Sequence, residues 1–248
     1  MAPVLTVERL SKNFSGVRAL EHLSLDVHEG EILGLVGPNG SGKTTLFACV
    51  TGFVRATAGQ VTWQGRDITG LAPDQIARLG VVRTFQQKMV FPKATVRDNV
   101  EMAWQGLRDG ASDRVLTCCD DILHFLGLAD VEDRLATEIP FGSARKLGVG
   151  LALAAQPQLL LLDEPAAGLN QDESRELGRL ITRIARELAV TVCVIEHDMH
   201  LVMSISNRIA VLHAGRKIAE GKPDEIANDP DVISVYLGEK FARSRSSQ

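Results

Sequence analysis

Apolar and polar residues alternate over 4–14 and again over 19–27, with Val4, Val7 and Leu10 in the first run and Leu20, Leu23, Leu25 and Val27 in the second. A period of two predicts a pair of antiparallel strands, joined around Ser15-Gly16. Residues 31–36 drop the alternation for an almost unbroken apolar run, which predicts a strand buried on both faces. A glycine-rich stretch and a helix over 44–50, ending near Gly52, follow it. Residues 59–65 then read as a strand with a tight turn, and 71–80 as a short helix with Pro73 near its start and Gly80 at its close. Residues 81–85 read as a short buried strand.

Between 92 and 137 the strand pattern vanishes. Val115, Cys119, Ile122 and Leu126 recur at helical spacing and Gly127 stops the run, predicting a helical insertion that extends to a helix after Gly142. Residues 159–162 are all leucine and 190–195 are nearly as apolar, so both read as interior strands. Between them a helix over 172–188 gathers Leu177, Leu180, Ile181, Ile184 and Leu188 on one face. Strands over 208–212 and 216–220, turning at Gly215, and a surface-packed helical segment over 223–238 complete an α/β chain. Its core spans 1–91 and 157–238, a helical subdomain covers about 92–156, and a basic tail, 239–248, is expected to be disordered.

Chemistry collects at the strand ends. Gly37-Pro38-Asn39-Gly40-Ser41-Gly42-Lys43-Thr44-Thr45 has the spacing of a phosphate-binding loop and sits between a strand and a helix, the context that motif requires. Its glycines let successive N–H groups point into one concavity at the positive end of a helix. Lys43 is then placed for the β- and γ-phosphates of ATP and the Thr44 hydroxyl for Mg²⁺. Asp163 and Glu164 end the leucine strand, where Asp163 completes a Mg²⁺ shell and Glu164 orients and deprotonates a water. His197 follows the next strand and is a candidate neighbour of that water. His22, His28, His124, His200 and His213 have no such placement. Gln86, ending its own strand, is a candidate for Mg²⁺ or water. Phe14, at the hairpin tip, reads equally as a base-stacking aromatic and as an ordinary hairpin residue.

Composition narrows the class. Lys plus Arg number 27 against 31 Asp plus Glu, with no long basic run, so charge gives no reason to expect a nucleic-acid partner. No apolar run reaches the roughly 18 residues that a bilayer span needs, and the N-terminus lacks the pattern of a signal peptide, so any membrane role is expected to depend on other subunits. Cys49, Cys118, Cys119 and Cys193 form no CxxC pair and lie in apolar segments, the pattern of reduced, buried thiols.

In order and spacing, residues 37–45, Gln86, the run Ile139-Pro140-Phe141-Gly142-Ser143, residues 159–165 and His197 resemble the nucleotide-binding subunit of ATP-binding cassette transporters. The resemblance covers about 4–238. Residues 163–170, 195–199 and 229–238 look most like the branched-chain amino acid importers within that family. The resemblance implies a P-loop NTPase core of the RecA-like type carrying an antiparallel β subdomain and the helical insertion. It also implies a head-to-tail dimer of identical or homologous cassettes enclosing two ATP. Each site would draw Phe14, Lys43, Thr44, Gln86, Asp163, Glu164 and His197 from one protomer and residues 139–143 from the other. Two membrane permease subunits would dock near 86–99 on the cytoplasmic side of the cell membrane, with a solute-binding protein acting indirectly. One departure stands out: the family's Leu-Ser-Gly-Gly-Gln has proline at 140 and serine at 143, so activity with weaker dimer closure is expected. A motor for urea, amides or envelope lipid, and a soluble non-transport cassette protein, are the alternatives; a P-loop kinase fits less well, having no lid or acceptor site to account for 92–156.

Overall fold

A computed structural model describes residues 3–84, 90–105 and 116–236. The alternating runs form β1 (Pro3–Phe14) and β2 (Val17–His28), paired antiparallel from Pro3 opposite His28 to Phe14 opposite Val17. Leu5, Val7, Leu10, Leu20, Leu23, Leu25 and Val27 are all buried, so a one-residue slip of register would turn a whole apolar face to water. The chain then enters a second layer through β3 (Ile32–Val36) and α1 (Lys43–Val50), and returns in β4 (Ala58–Trp63) and β5 (Arg66–Asp67). The first sheet has the order β2-β1-β4-β5.

After α2 (Pro73–Arg78) and β6 (Val81–Arg83) come the helices α3 (Val96–Gln105), α4 (Cys119–Leu126) and α5 (Phe141–Ala154). Gly127 caps α4 in the left-handed conformation, φ 66°, which is the stop its sequence position signals. The second sheet is completed by β7 (Leu159–Asp163), β8 (Thr191–Ile195), β9 (Arg208–His213) and β10 (Arg216–Gly221), with α6 (Gln171–Glu187) between β7 and β8. Its order is β10-β9-β3-β8-β7-β6, parallel throughout except for β10.

Alternate residues of the parallel strands serve two cores. Ile32, Leu160, Leu162, Val192 and Val194 pack with α6 and the helical insertion, while Leu33, Leu35, Leu159, Leu161, Cys193 and Ile195 pack with α1 and the antiparallel sheet. The parallel sheet is therefore covered on both faces, which is why its strands read as continuous apolar runs.

Several elements differ from the sequence reading. Helix α5 starts at Phe141, before Gly142, because Pro140, at φ −55° and ψ 151°, takes the extended N-cap conformation. A helix not legible beforehand, α7 (Met199–Ile205), follows β8; the Asp198 carboxylate caps it by accepting from the His200 and Leu201 amides. Seven residues are too few to show a period. The terminal segment is not one helix: α8 (Pro223–Ala227) ends at Asn228, and helix resumes at Pro230, where Asp229 accepts from the Asp231 and Val232 amides. The leucine strand β7 is interior but lies beside the edge strand β6. The cysteines are all free, but Cys118 is exposed, since it is the cap residue ahead of α4 and not part of its apolar face. Gln86, Val115 and the tail 239–248 lie outside the described residues. Among the described residues no helix is long and apolar enough to cross a membrane.

Candidate functional site

β3, β8 and β7 lie side by side and run parallel, so the segments that follow them emerge on one edge of the sheet. Those segments carry residues 37–45, His197 and Glu164, with Asp163 as the last residue of β7, at the carboxyl ends where open parallel sheets place ligands.

The first segment is pinched between two strands. A Cβ on Gly37, at φ +148°, would run into the Leu212 carbonyl oxygen of β9, and one on Gly42, at φ +104°, would lie 2.5 Å from the Ala19 carbonyl oxygen of β2. Gly40, at φ +79°, faces open space. Gly40→Ala is therefore expected to cost about 1–2 kcal/mol, from backbone conformation alone. Gly37→Ala is expected to cost several times more, because two backbone segments would have to part. Urea unfolding of the two variants tests that order.

Helix α1 begins at Lys43 with a left-handed glycine ahead of it, no side-chain cap and no acidic residue in its first turn, so its positive end is not neutralised. The buried Lys43 ammonium donates to the carbonyl oxygens of Gly37 (2.7 Å) and Pro38 (2.9 Å) and to Ser41 Oγ (3.3 Å). Thr44 is exposed and Thr45 half-buried.

Asp163 is held from two sides. Its amide donates to Thr84 Oγ1 at 3.2 Å, and Arg83 Nη2 donates to Asp163 Oδ2 at 2.6 Å in an ion pair whose side chains are 7% and 1% exposed. Burial pushes the Asp163 carboxyl up from the usual range, while the guanidinium of Arg83 and, more weakly, the ammonium of Lys43 oppose the shift. Asp163 Oδ1 is buried with no hydrogen-bond partner. An orphaned carboxylate oxygen, a threonine hydroxyl and substrate phosphates make an all-oxygen donor set of the kind Mg²⁺ takes. No group of three or more His, Cys, Asp or Glu among the described residues is placed to hold a metal without such phosphates.

Glu164 occupies the left-handed region at φ +49°, a conformation that costs a non-glycine residue energy and is found preferentially at functional sites. Its amide donates to the Ile195 carbonyl at 2.9 Å, and its Oε1 lies 2.8 Å from His197 Nε2. The turn from β7 thus aims the Glu164 side chain across to the end of β8.

Of the remaining candidates, Phe14 sits at the hairpin tip, 44% exposed, with the Lys12 ammonium 4.6 Å from its ring centre. Ile139 is buried, Pro140 and Phe141 are exposed, and Gly142 and Ser143 are half-buried at the start of α5. That helix end is braced by residues following Glu164: Arg145 Nη2 donates to the Ala167 carbonyl at 2.7 Å, and the Phe141 ring covers Gly168.

Two residues at the site were not read from the sequence. Arg83 had a signal, a lone charge in the short buried strand 81–85, which demands a partner. Glu196 is 3% exposed and burial raises its carboxyl pKa; its position, one residue past an apolar strand, looks like solvated surface.

A parallel sheet that ends in a glycine-pinched loop, a buried aspartate and a glutamate–histidine pair defines a P-loop nucleoside triphosphatase. Comparison with known proteins narrows this further. The family model for the ABC transporter matches residues 20–167, and a second, for the branched-chain amino acid ATP-binding cassette transporter, matches residues 216–242. The chain is 43% identical to the high-affinity branched-chain amino acid transport ATP-binding protein LivG of Salmonella typhimurium, over 96% of this chain and 98% of that one. It is 32% identical to the lipopolysaccharide export system ATP-binding protein LptB of Haemophilus influenzae, over 96% and 98%. Among solved structures, the ADP conformation of MJ1267, an ATP-binding cassette of an ABC transporter, superposes with a TM-score of 0.86 at 28% identity, covering 96% of this chain and 100% of that one. The chain belongs to the ABC transporter ATP-binding family, and it is an ATPase.

Proposed function

We propose that this ATPase energises the uptake of branched-chain or other hydrophobic amino acids through separate membrane permease subunits. The catalytic half of the reading is carried by the 2.8 Å contact between Glu164 Oε1 and His197 Nε2 at adjacent strand ends. Glu164 takes the proton from the attacking water, and His197 holds Glu164 in place beside the γ-phosphate. Lys43 exchanges its loop carbonyls for phosphate oxygens, and the amides of 37–45 cradle the phosphates. Thr44, Asp163 and Gln86 would hold Mg²⁺, which supplies charge neutralisation on the phosphates when bound. Phe14 would stack on the adenine.

Residues 139–143 act on the nucleotide of a second, identical or homologous cassette in a head-to-tail dimer, through the uncapped amides at the start of α5. The chain works as one domain, with core 1–91 and 157–238 and a helical subdomain over about 92–156. It sits on the cytoplasmic face of the cell membrane by docking on two permease subunits, which a solute-binding protein supplies.

The cargo half of the reading is supported by the match of residues 216–242 to the branched-chain amino acid cassette family and by the cargo named for LivG. Cells carrying the native chain or Glu164→Gln should be compared for uptake of labelled leucine, isoleucine, valine, alanine, urea and a polyamine. Selective loss of the hydrophobic amino acids is the expected result. Unchanged uptake together with an envelope defect would favour the lipid-export reading that the LptB likeness raises.

A further inference from the structure

The ATPase mechanism leaves one buried carboxylate at the site without a task. Glu196 follows β8, is 3% exposed, and divides its two oxygens between two segments: Oε1 accepts from the Ala166 amide at 2.6 Å and Oε2 from the His197 amide at 3.1 Å. Ala166 belongs to the turn that carries Glu164, and His197 is the partner of Glu164. One carboxylate therefore bridges the two backbone segments whose side chains meet at 2.8 Å.

The bridge completes a latch. At the start of the turn the Glu164 amide donates to the Ile195 carbonyl at 2.9 Å, and two residues later the Ala166 amide reaches Glu196. Within the turn the Ala167 amide donates to the Glu164 carbonyl at 3.2 Å and the Leu169 amide to the Ala166 carbonyl at 3.0 Å. Glu164 sits in this turn at φ +49°, a conformation that persists only where its surroundings over-determine it. The Glu164 and His197 side chains are 22% and 42% exposed, so water competes for them, whereas the latch beneath them lies in the interior.

We propose that Glu196 is a positioning residue for ATP hydrolysis: its carboxylate fixes the separation of the Glu164 turn and the His197 backbone, and with it the aim of the Glu164 carboxylate. A carboxylate suits this place because it accepts at both oxygens. A carboxamide accepts at one and presents an N–H₂ to the other amide, leaving two donors face to face.

The inference rests on the reading of Glu164 and His197 as the reacting pair. Failure of that reading would show separately, as unchanged turnover in Glu164→Gln.

The test is steady-state ATP hydrolysis by the full chain assembled with its membrane subunits, comparing native, Glu196→Gln and Glu196→Ala, with nucleotide affinity measured in parallel by a fluorescent ATP analogue. The expected result is a kcat lower by about 10-fold for Gln and about 100-fold for Ala, the scale of misplacing a reacting group by an ångström. KM and analogue affinity should be unchanged, because the Glu196 carboxylate accepts its hydrogen bonds from the Ala166 and His197 amides and not from the phosphate loop. An unchanged kcat, or an affinity loss in proportion to the rate loss, would overturn the assignment. Should both variants fail to fold, Glu196→Asp keeps the charge and both acceptors on a shorter arm; a lower kcat at native affinity supports the assignment and a native kcat overturns it.

Discussion

Glu164→Gln binds ATP with native affinity and hydrolyses it about 10²–10⁴-fold more slowly, the usual worth of a positioned acid–base group. The substitution preserves shape, so the turn at φ +49° and its amide bond to the Ile195 carbonyl are retained. Gln Oε1 still accepts from His197 Nε2 when that nitrogen carries the proton, and only the basicity is lost. Phosphate release against ATP concentration, with nucleotide affinity measured separately, reads both halves; native turnover would remove Glu164 from the role. The same variant also tests residues 139–143. Held before hydrolysis, it should dimerise at millimolar ATP or below in light scattering. Pro140 takes away a side-chain hydroxyl, but the helix end keeps its amides, and no side chain caps them. Absence of an ATP-dependent dimer, even with the membrane subunits present, would mean that Pro140 and Ser143 have disabled the segment.

What the sequence disclosed follows from what each feature depends on. The 37–45 loop was legible because its chemistry is local: glycines, a lysine and a threonine at fixed spacing between a strand and a helix. The interior strands were legible because burial on both faces leaves an apolar run. His197 was legible as a candidate neighbour of the water that Glu164 orients, but its direct contact with the Glu164 carboxylate was not, since that requires β7 and β8 to be neighbours. Residues 164 and 197 are separated by the whole of α6, and only the sheet order brings them to 2.8 Å. Glu196 was hidden for a related reason. The Ala166 amide that needs its carboxylate comes from a different strand's turn, so nothing near 196 distinguishes it from a solvated acid. Short capped elements such as α7 escape because their stability comes from Asp198 and the burial of Leu201 and Val202, not from a period.

Arg83→Met destabilises the nucleotide-free chain by about 3–5 kcal/mol, because it strands a buried charge. Arg83 and Asp163 lie 2.6 Å apart with side chains 7% and 1% exposed, and burial already presses the Asp163 carboxyl towards its neutral form. Methionine fills the volume of the arginine stem but supplies no donor, so Asp163 must lose its charge or admit water. For a chain of this size the cost corresponds to a fall of roughly 10 °C in the melting midpoint. Asp163→Asn alone should also cost stability, because it removes the carboxylate to which Arg83 Nη2 donates at 2.6 Å. The double variant Arg83→Met, Asp163→Asn should be more stable than the sum of the two losses, since a neutral pair leaves neither charge uncompensated. Thermal melting of the four proteins closes the cycle, and strict additivity would mean that the ion pair carries no coupling. The consequence reaches the site itself. Arg83 takes Oδ2 and leaves Oδ1 of the same carboxylate unpartnered, so the pair both stabilises the buried charge and determines which oxygen Asp163 has left for the phosphate site.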